Sequence, residues 1–107
     1  MGSFDDRENA FENKFARDEE LQFKVTARRN KLLGYWAAEK MSLTAEEKNA
    51  YGIAVVQADF EEAGDDDVLR KVLGDLTTAG VESDEAMVRS AMDETMIEAR
   101  RQFIEEA

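Results

Sequence analysis

The chain has 107 residues, room for one domain, and carries 25 Asp/Glu against 14 Lys/Arg, a formal charge of −11. It contains no Cys, His or Pro, which excludes disulfide frameworks, zinc fingers, iron–sulfur centres, thiol nucleophiles and Ser-His-Asp catalysis, and leaves nothing to break long helices. An acidic balance of this size also argues against binding nucleic acid, where phosphate must be neutralised.

In chain order, the first segment is unusual. Ser3 can cap a helix, and Phe4, Phe11 and Phe15 fall within an arc of about 40° on a helical wheel. That stripe is rotated by about 70° from the next one, formed by Leu21, Val25, Leu32 and Trp36. Asp18, Glu19 and Glu20 lie between the two and suit a new helix start. Residues 1–18 are therefore expected to be a detachable, marginally helical leader that orders against a partner. The alternative is that the three Phe close one end of a bundle. A membrane-surface role is disfavoured because the polar face lacks an excess of Lys and Arg.

Four helices are expected after or around this leader, near residues 19–40, 45–62, 67–79 and 84–105. Thr44 and Glu47 form a capping box for the second. Tyr51, Ala54, Val55 and Ala58 make one apolar side of that helix, and Ile53, Val56 and Phe60 the opposite side. A helix apolar on two faces is sandwiched in a core, which the packing argument favours, or keeps one face for a partner. Gly64 ends this helix, and one of Asp65, Asp66 and Asp67 caps the third. The third carries Leu69, Val72, Leu73 and Leu76, and is weakened by Gly74. Gly80 and Ser83 supply the last break and cap. The fourth helix presents Val88, Ala91, Met92, Thr95, Ala99 and Phe103. Short loops between such helices give antiparallel neighbours, so the expected fold is all-α, a four-helix bundle of residues 19–107 with the leader ahead of it.

Charge divides sharply along the chain: residues 1–51 hold nine Lys/Arg and ten Asp/Glu, whereas residues 52–107 hold five and fifteen. The only cationic concentration is Lys24, Arg28, Arg29 and Lys31, followed by Tyr35 and Trp36. It is either a solvated face partly matched by Glu20 or an anion site for a nucleotide phosphate with a stacking aromatic. No phosphate loop, serine-hydrolase elbow or zincin motif accompanies it. A calcium loop starting at Asp65 fails, because Arg70 and Leu76 stand where Gly and Glu are needed. No catalytic residue and no metal ligand are assigned, and an interaction protein is expected rather than an enzyme. The longest apolar runs are four residues, at 35–38 and 53–56, far short of the 20 or so of a membrane span.

Several blocks carry a family resemblance: FDDRENAFENKFA (residues 4–16), ARRNKLLGYWAAEKM (27–41), VVQADFEEAG (55–64) and DDVLRKVLGDLTTAG (66–80). The sequence closely resembles the zeta subunit of alphaproteobacterial F-type ATP synthases, with Gly52 where Ala is expected. The resemblance implies a four-helix bundle that binds the catalytic head and inhibits ATP hydrolysis. It implies an inhibitory role for the leader, and hence for Phe4, Asp5, Asp6, Arg7, Phe11, Lys14 and Phe15. It also implies partnership with catalytic and rotor subunits. Cytoplasmic residence, peripheral to the inner membrane through the synthase, and a monomer when free are expected with it. No cofactor is required, and ADP or ATP is expected as a regulatory ligand, for which Lys24, Arg28, Arg29, Lys31, Tyr35 and Trp36 are the candidates.

Overall fold

A computed structural model describes the backbone of residues 2–61 and 64–106 and the side chains of 19–61 and 64–103. Four helices follow one another: α1 (Gly2–Lys40), α2 (Ala45–Glu61), α3 (Asp65–Thr78) and α4 (Glu85–Glu106). No strand occurs among the described residues, and the all-α four-helix bundle expected from the sequence is observed. The break expected at residue 19 is not present in the backbone, because α1 continues without interruption to Gly2. The side chains of the leader, including Phe4, Asp5, Asp6, Arg7, Phe11, Lys14 and Phe15, lie outside the described residues.

Each helix gives one stripe to a common core. Leu33 and Ala37 from α1, Val55 from α2, Val68, Leu69, Val72 and Leu76 from α3, and Val88, Ala91 and Met92 from α4 form a single buried cluster. Leu33, Val55, Val72, Leu76 and Val88 are wholly buried, each worth on the order of 1.5–3 kcal/mol in apolar transfer. The stripes of α3 and α4 follow the sequence pattern closely. That of α1 does not. Leu21 is exposed at 39%, whereas Val25, Arg29, Leu33 and Ala37 are buried. Polar Arg29 and Asn30 occupy the seam and hide it from a hydrophobicity count. On a wheel of about 100° per residue, Arg29 and Leu33 bound the same 40° arc as Phe4, Phe11 and Phe15, so the 70° offset disappears.

The chain turns between helices by two related motifs. After α1, Ser42 N–H donates to the Glu39 carbonyl at 3.1 Å and Leu43 N–H to the Ala38 carbonyl at 3.0 Å. After α3, Gly80 N–H donates to Thr77 at 3.0 Å and Val81 N–H to Leu76 at 2.9 Å. Both are Schellman endings whose pivotal residue adopts positive φ, 59° at Ser42 and 80° at Gly80. The capping box holds: Glu47 N–H donates to Thr44 Oγ1 at 3.2 Å, and Thr44 N–H donates to Glu47 Oε1 at 3.0 Å. Two caps differ from expectation. Asp84, not Ser83, caps α4, its Oδ1 accepting from Met87 N–H at 2.8 Å; the Ser83 hydroxyl donates to the Val81 carbonyl instead. Gly64 itself takes the N-cap place of α3, where glycine has no side chain to cap with, and Asp65, Asp66 and Asp67 fall in the first turn instead.

Gly34 and Gly52 mark the crossing of α1 and α2. A Cβ on Gly34 would lie 2.6 Å from Gly52 Cα, and one on Gly52 would lie 2.7 Å from Tyr35 Cε1. Backbones approach this closely only where side chains are absent. Gly52, where Ala was expected, thus sits against Gly34.

Candidate functional site

The basic segment of α1 divides into two faces. Arg29 is 2% exposed, with Nη2 2.8 Å from Asp65 Oδ1 and Nε donating to Asn30 Oδ1 at 2.8 Å. Asn30 Nδ2 donates in turn to Asp59 Oδ2 at 2.9 Å. This chain ties α1 to the end of α2 and the start of α3. It leaves no described buried side-chain nitrogen or oxygen unpaired, which is the condition for a polar seam to be tolerated. Arg29 is therefore separated from the other cations and is spent on the bundle.

Lys24, Arg28 and Lys31 remain together on the other face. They line a shallow cleft between α1 and α2, bordered by Phe103 of α4, with Phe23, Ile53 and Val56, and no carboxylate lines it among the described residues. Lys24 makes a loose pair with Glu20 at 3.9 Å. Arg28 donates from Nη1 to Gln102 Oε1 and lies 5.1 Å from the centre of the Phe103 ring. Lys31 stands 5.9 Å from the Tyr35 ring, whose hydroxyl donates to Asn49 Oδ1 at 3.1 Å. Trp36 turns away onto the core cluster, with Lys40 5.3 Å from its ring. So Lys24, Arg28, Lys31 and Tyr35 share a side, while Arg29 and Trp36 do not.

The second face of α2 is not sandwiched. Ile53 is 45% exposed and Phe60 61%, and Phe60 meets Phe23 of α1, itself 56% exposed, at a ring separation of 5.2 Å. The reading in which α2 keeps one face outside the core is the one observed.

The acidic run at the start of α3 is a set of clamps. Asp65 takes Arg29, Asp66 lies 3.5 Å from Arg89 of α4, and Asp67 takes Arg70. Among the described residues, no three acidic side chains are grouped to hold a metal ion. Elsewhere the Tyr51 hydroxyl donates to Asp75 Oδ2 at 2.7 Å, and Lys71 reaches the same oxygen at 3.1 Å. Burial first, then that carboxylate, push the Tyr51 phenol far above its ordinary pKa. The capping contact to Thr44 holds the Glu47 carboxyl below its ordinary value, and Lys48 does the same for Glu39.

Sequence reasoning missed Asn30, Asp59 and Gly34. Their signal lay in position: polar or glycine residues at core-facing spacing within a long helix.

No described helix is long and apolar enough to cross a membrane. No curated protein sequence matches the chain. Three solved chains match it. One, a solution NMR structure, is 49% identical, with a TM-score of 0.71, and the match covers 81% of this chain and 99% of that one. The family model described as ATPase inhibitor subunit zeta matches residues 1–102. The chain thus belongs to the ATPase inhibitor subunit zeta family, and is a regulatory subunit of ATP synthase rather than a catalytic enzyme.

Proposed function

We propose that residues 1–18 inhibit ATP hydrolysis by inserting as an amphipathic helix between catalytic and rotor subunits of the F-type ATP synthase head. In this reading Phe4, Phe11 and Phe15 enter an apolar groove, and Arg7 and Lys14 pair with acidic residues at its rim. Asp5 and Asp6 sit at the helix start, where the dipole favours negative charge. A wedge in an interface that must close and reopen stops turnover without touching the chemistry. The protein is then held peripherally at the membrane by the synthase.

The observation that carries this reading is where the bundle stops. Arg29 is held by Asp65, the first residue of α3, and Arg28 meets Gln102 and Phe103 close to the end of α4. α1 begins at Gly2, so it extends well past the helices it packs against. The Phe stripe continues the seam of Arg29 and Leu33 on the wheel, beyond the point where the bundle supplies a facing helix. An apolar seam continued in this way suits a partner.

The test is ATP hydrolysis by the isolated catalytic head with the full chain, with F4S/F11S/F15S, and with residues 1–18 removed. The full chain is expected to inhibit and the two variants to lose inhibition. Equal inhibition by all three rejects the leader mechanism.

The cleft of Lys24, Arg28 and Lys31 supports a second reading, in which ADP or ATP binds as a regulatory ligand with Tyr35 beside it. A cationic lining with no carboxylate among the described residues suits a polyphosphate. Titration with ADP to about 1 mM, a weak-affinity ceiling, is expected to give saturable amide shifts at these residues. Flat shifts over that range remove the nucleotide.

A further inference from the structure

We propose that the cleft between α1 and α2 is a second docking surface, which receives an amphipathic helix with acidic flanks. The proposal rests on the inhibitory reading in one respect: the helix belongs to the catalytic head that the leader engages.

Three observations converge on this surface. The first is apolar exposure in one place. Phe23, Ile53 and Phe60 are 56%, 45% and 61% exposed, and Ala27 and Val56 lie between them in the cleft floor. Large exposed side chains in a contiguous patch mark an interaction site more often than scattered ones do. The second is charge. The chain carries −11 overall, yet the cleft edge presents Lys24, Arg28 and Lys31 with no carboxylate lining it among the described residues. Asp59, which borders the adjoining hollow under Phe23 and Phe60, is already held by Asn30. An apolar strip with a cationic edge is complementary to a helix with an apolar stripe and acidic flanks. The third is continuity. Phe23 follows the leader's last residue, Asp18, by five positions, about 7.5 Å along a helix. Along the axis of α1, a subunit gripping the leader therefore ends within about one and a half turns of the cleft, although the Phe stripe and the cleft cations lie on different sides of the wheel.

A second copy of the chain fits poorly. A two-fold pairing through this patch would set Lys24, Arg28 and Lys31 against their own copies. The leader is also excluded as occupant while α1 is a single helix from Gly2 to Lys40, because a straight helix cannot fold back on itself.

Two measurements test the proposal on the full chain. In the first, the isotope-labelled protein is titrated with a synthetic helical peptide bearing Leu on one face and Glu on its flanks, and with a twin whose flanks are Lys. Saturable shifts at Phe23, Lys24, Ala27, Lys31, Ile53 and Phe60 are expected with the Glu-flanked peptide alone. Affinity should fall at least tenfold in I53S/F60S and in K24E/K31E, both made at surface positions and checked for unchanged melting. Equal binding of the two peptides overturns the proposal. So do dilution-dependent shifts at the cleft without peptide, which would assign it to a second copy, and shifts produced only by anionic lipid vesicles.

In the second measurement, the same variants, with an intact leader, are bound to the isolated catalytic head. At least tenfold weaker binding is expected. Wild-type affinity in both variants overturns the proposal and leaves the leader mechanism standing. A wild-type chain that binds the Glu-flanked peptide but not the head leaves the groove chemistry standing and overturns the inhibitory reading.

Discussion

Arg29 shows how much depends on the environment of a single side chain. Its partner Asp65 is 63% exposed while its own side chain is 2% exposed, so the pair is asymmetric. Removing Asp65 strands a buried cation; removing Arg29 strands only an exposed carboxylate and one amide oxygen of Asn30. Breaking buried pairs costs most when a charge is left behind. Asp65→Ala is therefore expected to cost about 2 kcal/mol and Arg29→Met about 1 kcal/mol, measured by denaturant unfolding. Equal costs would mean that Arg29 reaches water by another route. Tyr51 gives a pH signature. Its folded-state pKa is raised by burial and by Asp75, so its contribution to stability is complete below the ordinary phenol value of about 10 and declines as pH rises above it. Alkaline melts should show falling stability above that pH for the wild type, and a shallower fall for Tyr51→Phe. The tyrosinate absorbance of Tyr51 should appear only with unfolding.

At the scale of the element, the two Schellman endings form an internal comparison. Gly80 adopts φ 80° without strain, whereas Ser42 adopts φ 59° with a Cβ. A left-handed non-glycine residue costs roughly 1 kcal/mol, so Ser42→Gly is expected to raise stability by several tenths to about 1 kcal/mol. Gly74 is the opposite case. It lies within α3 with open space around a Cβ, so Gly74→Ala should add about 1 kcal/mol. Gly34→Ala has the same intrinsic gain but forces a Cβ to 2.6 Å from Gly52 Cα. It should destabilise by 1–3 kcal/mol, the usual range for overpacking. Thermal melts of the three variants check the signs: up, up and down.

These elements also show what the sequence made legible. The stripes of α3 and α4 could be read because apolar side chains dominate them, and the one polar member, Thr95, turns its hydroxyl back onto its own helix. The capping box at Thr44 could be read because its chemistry is local. The seam of α1 could not, since Arg29 and Asn30 sit where Leu would be counted, and their partners Asp65 and Asp59 lie 36 and 29 residues away. Part of the cationic cluster was legible as Lys24, Arg28 and Lys31. The loss of Arg29 to the bundle was not, because two neighbours on a helix about 100° apart face different surroundings. The exposed face of α2 was visible as an apolar surplus, but only the packing of Phe60 against Phe23 decided which side stays outside.

For the whole molecule, the near-neutral half of the chain carries the cleft cations and the leader, and the acidic half supplies α3 and α4. The continuity of α1 from Gly2 to Lys40 makes a mechanical prediction. Insertions after Glu20 fall among exposed residues and turn everything before them relative to the bundle. Two added Ala turn the leader by about 200° and lengthen it by about 3 Å; four turn it by about 40° and lengthen it by about 6 Å. If the seam must face one way in the complex, the two-residue insertion should abolish inhibition of the catalytic head while the four-residue insertion retains most of it. A slack tether would instead be indifferent to both.

That expectation has its origin in the polar seam. Apolar surfaces slide and roll against one another with little penalty, but Arg29, Asn30, Asp59 and Asp65 have one mutual arrangement that satisfies all of them. They act as a key in a keyway, indexing the long shaft of α1 at one end. Whatever engages the other end then meets it at a set angle, so an azimuth fixed deep in the bundle becomes a property of a distant tip.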